Sequence, residues 1–79
     1  MLILTQYKDQ IINLDNVLTI EAAVIDVKTS KIFASLVNGT VEELGVYKSY
    51  KKALEIIKKI LDIYGAVQQY EMPEEEDDD

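Results

Sequence analysis

The stretch SYKKALEIIKKILDIY, residues 49–64, is the longest part of the chain in which apolar side chains recur every three or four residues. This spacing predicts an α-helix with one apolar side, which we expect to be buried. That side comprises Tyr50, Ala53, Leu54, Ile57, Ile60, Leu61 and Tyr64, and Ile56 and Ile63 widen it. Ser49 is a favourable N-cap and Gly65 a favourable stop, so the sequence marks both helix ends.

Shorter extended stretches precede this helix and alternate apolar with polar residues or are rich in β-branched ones. They cover residues 1–6, 11–14, 17–27, 31–37 and 40–47. Asn38-Gly39 between the last two predicts a hairpin with a type I′ turn. Residues 66–70 either add an edge strand or lie over the sheet. The predicted fold class is therefore α+β: a meander of four to five antiparallel strands followed by one C-terminal amphipathic helix.

The negative charge of the chain is concentrated at one end. The formal net charge is −7, and residues 71–79 hold seven carboxylates and no lysine, so residues 1–70 hold eight charges of each sign. We expect one neutral domain over residues 1–70 and an acidic tail over residues 71–79. Such a tail has too little apolar area to fold, and we expect disorder after Pro73.

Several residue types with catalytic or ligand-binding roles are missing from the sequence. The chain contains no cysteine, histidine, tryptophan or arginine, and its three glycines lie far apart. These absences argue against a thiolate metal site, an imidazole base and a phosphate-binding loop, so we predict no enzyme, no metal and no cofactor. Without a signal peptide or a membrane-spanning run, the prediction is a cytoplasmic protein that does not enter a membrane.

A single helix can cover only one face of the predicted sheet. Several apolar side chains should then point away from the helix, and a contiguous exposed patch indicates a partner. The residues concerned are Ile3, Ile25, Val27, Phe33 and Val37. Of these, Val27, Phe33 and Val37 are the predicted protein interface, with Tyr7, Tyr47 and Tyr70 as flanking anchors. A second copy of the chain is the simplest partner, giving a homodimer; alternatively, the strand parity is shifted and these residues belong to the core.

The order of the turn and core signals is similar to a known group. The segments Ile12–Asn16, Asn38-Gly39 and Leu44–Tyr47, followed by a helix with Ala53, Ile57 and Ile60, carry the likeness. In these residues the chain resembles a loose group of short, mostly uncharacterised proteins of Gram-positive bacteria and their phages. The resemblance implies a phage or mobile-element origin and a role in binding and blocking a host protein, such as part of a defence system.

Two functional hypotheses follow. The first is a small non-enzymatic protein-binding module, with an inhibitor of a host protein as its most concrete form. The second is an acidic mimic of nucleic acid that blocks a DNA- or RNA-binding protein through the tail residues Glu74, Glu75, Glu76, Asp77, Asp78 and Asp79, whose simpler role is solubility. Direct nucleic-acid binding by the chain is disfavoured, because arginine is missing and the net charge repels phosphate.

Overall fold

The computed structural model describes residues 1–75, and these form an α+β domain with one α-helix near its C-terminal end. In chain order the elements are β1 (Leu2–Leu4), β2 (Ile11–Asn13), a 3₁₀ turn (Leu14–Asn16), β3 (Val17–Asp26), β4 (Thr29–Leu36), β5 (Val41–Tyr47), α1 (Tyr50–Ile63) and β6 (Gln69–Glu71). The predicted fold class is confirmed at this level.

The strands divide into two three-stranded sheets instead of the single meander expected from the sequence. The central sheet has the order β3-β4-β5 and is antiparallel throughout. The terminal sheet has the order β2-β1-β6, in which β1 pairs antiparallel with β2 and parallel with β6. Of the two alternatives for residues 66–70, an edge strand is the one that forms, and it covers Gln69–Glu71. It pairs with the N-terminal strand β1.

The central sheet has one buried and one outward face. Along β4, Ser30, Ile32 and Ala34 are buried, whereas the residues between them are half-buried. The strand register pairs Ile20 and Ala22 of β3 with this buried row. Irregularities in the β3 register fall between Val17 and Thr19 and between Val24 and Asp26, which leaves residues 19–24 as a regular segment.

The hairpin at Asn38-Gly39 forms, but its turn is not type I′. Of these two residues only Gly39 has a positive φ, at +92°. The Gly39 N–H donates to the Leu36 carbonyl, and the Leu36 N–H donates to the Thr40 carbonyl. This pattern is typical of a three-residue hairpin loop whose last position is left-handed, which glycine adopts without steric cost.

Helix α1 packs against β3, β4 and β5, with its buried side rotated relative to the prediction. Its fully buried residues are Ala53, Ile56 and Ile60, whereas Leu54 and Leu61 are exposed. The Ser49 hydroxyl caps the helix as predicted, accepting a hydrogen bond from the Lys52 N–H at 3.0 Å.

Both sheets and the helix contribute to one hydrophobic core. The buried apolar residues are Ile3, Ile12, Leu14, Ile32, Ala34, Leu44, Tyr47, Ala53, Ile56, Ile60 and Met72. Ile3, which is among the residues that strand parity predicted to point away from the helix, is fully buried in this core. Met72, which follows β6, is also buried in this core.

The two sheets are joined by the side chain of Gln6, which follows β1. Its amide donates to the Val46 carbonyl at 2.9 Å, and its carbonyl accepts from the Val46 N–H at 2.7 Å. The backbone N–H of Gln6 also donates to the Leu44 carbonyl. Gln6 thereby satisfies both backbone polar groups of Val46, as a neighbouring strand would do.

Candidate functional site

An apolar groove of about 380 Å³ runs between α1 and β3. It is lined by Leu14, Val17, Leu18, Ile20, Ile57, Ile60, Leu61 and Tyr64, all aliphatic or tyrosine. Leu18 and Leu61 are each 69 % exposed and Tyr64 is 56 % exposed. We call this feature the β3–α1 groove. The central sheet contributes only β3 to it and nothing from β4, so the groove opens at the outer edge of β3.

The rotation of α1 explains why the groove exists. The helix directs the row of Ala53, Ile56 and Ile60 into the core. Leu61 and Tyr64 then lie at the margin of the buried side, where the helix meets β3. The sequence predicted these two side chains as part of the buried side, and the structure places them on the groove rim, largely open to solvent.

The edge of β3 beside the groove is open. Among the described residues β3 pairs only with β4, so its other side has no strand neighbour. From Val17 to Ile25 the sequence VLTIEAAVI has one charge, Glu21, and neither lysine nor proline. Natural edge strands are usually protected by lysine, proline, bulges or several charges, and between its two register irregularities β3 carries only Glu21. This absence is a sequence signal for the site, although the sequence could not show which strand would be an edge.

The predicted interface residues Val27, Phe33 and Val37 do not form one patch. Val27, 96 % exposed, is in the β3–β4 turn, and Val37 is in the β4–β5 loop, at the opposite end of β4. Phe33 lies between them and is half-buried on the outward face. Its cross-strand neighbours are Glu21 and Glu43. The outward face therefore mixes one aromatic ring with charged side chains.

The three predicted tyrosine anchors have different environments. Tyr7 is exposed, and Tyr70 is half-buried against the core. Tyr47 is only 1 % exposed, and its hydroxyl donates to the Pro73 carbonyl at 2.7 Å. The prediction of Tyr47 as a surface anchor is therefore wrong, because the end of β5 directs this ring into the core.

A second, wider cleft of about 800 Å³ lies near the end of β5. Its lining residues are Gln6, Tyr7, Lys8, Lys28, Thr29, Val46, Tyr47, Lys48, Glu74 and Glu75. Burial raises the pKa of Tyr47 well above its ordinary range, and the nearby Tyr70, Glu75 and Tyr7 raise it further. Burial also raises the pKa of Tyr70. Both phenols are therefore neutral at physiological pH, and the Tyr47 hydroxyl acts as a hydrogen-bond donor.

The beginning of the predicted acidic tail contacts the body at this cleft. Glu74 lies 3.4 Å from the Lys8 ammonium, and the Glu75 carboxylate accepts from the Lys48 N–H at 3.1 Å. The other tail residues named in the prediction, Glu76, Asp77, Asp78 and Asp79, lie outside the described residues. The exposed ion pair between Glu74 and Lys8 contributes only ~0–1 kcal/mol.

Residues 1–75 contain neither a cluster of metal ligands nor a membrane-spanning helix. No group of three acidic side chains is arranged to hold a metal ion there. In the same residues, no helix has the length and apolar character needed to cross a bilayer. The arrangement that these residues do provide is the β3–α1 groove and the adjoining edge of β3.

Comparison of the chain with protein-family models, with curated protein sequences and with solved structures finds no match.

Proposed function

We propose that this chain is a small protein-binding module without catalytic chemistry of its own, and that the β3–α1 groove and the open edge of β3 are its docking surface. The observation that carries the proposal is the exposure of Leu18, Leu61 and Tyr64 around one apolar groove. Scattered exposed apolar residues are normal on a protein surface, whereas a contiguous group beside an unpaired strand is typical of an interface.

The size of the groove limits the strength of binding through it alone. Full burial of a large apolar side chain contributes ~1.5–3 kcal/mol, and these three are already partly buried. The association of two proteins costs ~4–15 kcal/mol in lost translational and rotational freedom. The groove alone would therefore give weak binding, and a stable complex needs the backbone hydrogen bonds of the β3 edge as well.

The concrete form of this function is a cytoplasmic inhibitor, encoded by a phage or mobile element, that binds a bacterial host protein, with a homodimer as the active species. This form of the proposal is supported by the resemblance of residues 12–16, 38–39 and 44–47 to small proteins of Gram-positive bacteria and their phages. The balanced charge of residues 1–70 agrees with recognition through apolar contacts and backbone pairing.

A matched pair of helix variants tests the proposal. Leu61→Asp places a carboxylate on the groove rim, and Leu54→Asp makes the same change at an exposed α1 position outside the groove. We expect Leu61→Asp to lose self-association in sedimentation velocity and to lose a protein that the parent chain captures from a bacterial lysate. Leu54→Asp should retain both. Circular dichroism checks that α1 persists in both variants.

The helix variants can also contradict the proposal. If both variants associate and capture like the parent chain, the groove is not the docking surface. A variant lacking residues 76–79 distinguishes the acidic-mimic hypothesis. Loss of the captured protein in that variant, with no effect of Leu61→Asp, would favour a function of the tail over a function of the groove.

A further inference from the structure

We propose that the β3 edge binds a second copy of this chain, by antiparallel pairing of the two β3 strands about a twofold axis at Ala22. This inference rests on the proposed function, because it names the partner of the same surface. The occupant and the register both follow from the pairing geometry and charges of residues 19–24.

The facing of side chains removes half of the conceivable registers. In residues 19–24 the even-numbered side chains share one sheet face, because Ile20 and Ala22 pack against the core and Val24 pairs with the buried Ser30 of β4. Residues opposite each other in a continuous sheet must point to the same face. Even-numbered residues must therefore oppose even-numbered ones, so the twofold axis passes through a residue and not between two residues.

The irregular ends of β3 restrict the register further. Only residues 19–24 follow a regular pairing pattern, bounded by the two register irregularities. An axis at Glu21 or at Ala22 aligns five residues of this segment with their symmetry mates. An axis at Ile20 or at Ala23 aligns only three. Longer pairing makes more backbone hydrogen bonds, which favours the first two choices.

Charge decides between these two registers. An axis at Glu21 would place the two Glu21 carboxylates directly opposite each other, which is destabilising in a sheet. An axis at Ala22 places Glu21 opposite Ala23 of the second copy, and Ile20 opposite Val24. No charge then opposes another charge, and the small alanine side chains at the centre allow the strands to approach.

This register also accounts for the open groove. Because core-facing residues meet core-facing residues, the two α1 helices lie on the same face of a continuous six-stranded sheet. Each β3–α1 groove opens at the outer edge of its own β3, so the two grooves face each other across the axis. Val24, which is 60 % exposed in the single chain, gains Ile20 of the second copy as its neighbour.

The other strand edges fit a second copy less well. The three-residue strands of the terminal sheet offer few backbone groups, and β6 ends in Glu71. The outer edge of β5 carries the adjacent charges Glu42 and Glu43. A symmetric pair there would bring four carboxylates together, which the sequence of β3 avoids.

Single cysteines test the register directly, because the chain has none of its own. Opposed residues in antiparallel strands have Cα atoms ~4.5–5.5 Å apart, within the ~4.4–6.8 Å that a disulfide bridges. We expect Ala22→Cys to form a reducible covalent dimer under mild oxidation at micromolar chain concentration. Val41→Cys, an exposed position at the start of β5, is the control for random collision. Pairing raises the effective thiol concentration to the millimolar range, so Ala22→Cys should react on the order of 100-fold faster.

A mixing experiment provides an independent readout. Glu21→Cys and Ala23→Cys should each cross-link slowly alone and rapidly when the two variants are mixed, because these positions oppose each other across the axis. Equal rates for Ala22→Cys and Val41→Cys would overturn the pairing of β3. Faster self-linking of Glu21→Cys than of Ala22→Cys would overturn the register. If cross-linking fails while Leu61→Asp still abolishes capture of another protein, the dimer is refuted and the binding module stands.

Discussion

The ring of Tyr47 lies directly over the backbone of Gly45, so that a Cβ added at Gly45 would come within 2.7 Å of the ring. The ring is also held at its far end by the hydrogen bond from its hydroxyl to the Pro73 carbonyl. This contact connects β5 to the segment after β6, which returns from the terminal sheet. Several properties of the chain follow from it.

Gly45→Ala should destabilise the fold by about 2 kcal/mol, because the new methyl group overlaps a buried ring whose far end is held by the hydrogen bond to Pro73. Urea unfolding followed by circular dichroism measures the change. Combining Gly45→Ala with Tyr47→Leu tests the cause. The double variant should lose less stability than the sum of the single variants, by roughly 1 kcal/mol. Additive losses would show that the clash with the ring is not responsible.

Tyr47→Phe should reduce the free energy of unfolding by about 1 kcal/mol, because it removes the hydrogen bond to Pro73 and keeps the ring packing. The loss stays moderate because the Pro73 carbonyl is also 3.4 Å from the Gln6 amide nitrogen. Tyr7→Phe, at an exposed ring, is the matched control and should change stability by less than about 0.5 kcal/mol. Equal effects at the two positions would contradict the role of the Tyr47 hydroxyl.

The chain should lose stability in alkaline solution through Tyr47. Its pKa is raised in the folded state, so its contribution to stability is complete below the unfolded-state pKa of about 10 and is lost as the pH rises through the folded-state pKa. Urea midpoints between pH 8 and pH 11 should therefore fall more steeply in the parent chain than in Tyr47→Phe. Parallel curves for the two proteins would show that another group controls the alkaline loss.

Gln6→Ala should destabilise the fold by about 2–3 kcal/mol, because it leaves the N–H and carbonyl of Val46 without their partner between the two sheets. Gln10→Ala provides the comparison at an exposed glutamine in the β1–β2 turn and should have little effect. Hydrogen exchange at the Val46 amide gives a local readout. Unchanged protection there in Gln6→Ala would mean that another group replaces the side chain.

Charges at position 23 should tune the affinity of the proposed dimer in opposite directions. In the register centred on Ala22, Ala23 of each copy faces Glu21 of the other, so Ala23→Glu creates two repulsive pairs and Ala23→Lys two attractive ones. At about 0.5 kcal/mol for each pair, the dimer Kd should rise about fivefold in the first case and fall about fivefold in the second. Sedimentation equilibrium measures both values.

Within one chain, the cross-strand neighbour of Ala23 is Lys31. The free energy of unfolding of the monomer should therefore rise in Ala23→Glu and fall in Ala23→Lys, opposite to the effects on dimer affinity. This contrast separates an effect on pairing from an effect on folding. Equal Kd values for the two variants would count against the register.

The helix and its N-cap could be predicted from residues 49–64, whereas the orientation of the helix could not. Two apolar rows are available on this helix, one through Leu54 and Leu61 and the other through Ile56 and Ile60. Periodicity identifies both rows and does not choose between them. Packing against the central sheet chooses the second row, and this choice leaves Leu61 on the rim of the groove.

The division of the strands into two sheets could not be predicted from the sequence either. The strands of the terminal sheet are only three residues long, and β1 and β6 lie at opposite ends of the chain. Local patterns carry no information about such a distant parallel pairing. The regular alternation in residues 31–37 did place Phe33 and Ile32 on different faces of β4. The edge position of β3 depended on the separation of the sheets, so the candidate site could not be located before the fold was known.

The pairing of β1 with β6 has a consequence for biosynthesis. Strand β1 receives its parallel neighbour β6 only when the segment ending in Met72 has been made. Until then Ile3 lacks part of its enclosure, and the nascent chain presents an unfinished apolar surface to chaperones and proteases. Completion of the terminal sheet therefore waits until residues 69–72 have left the ribosome.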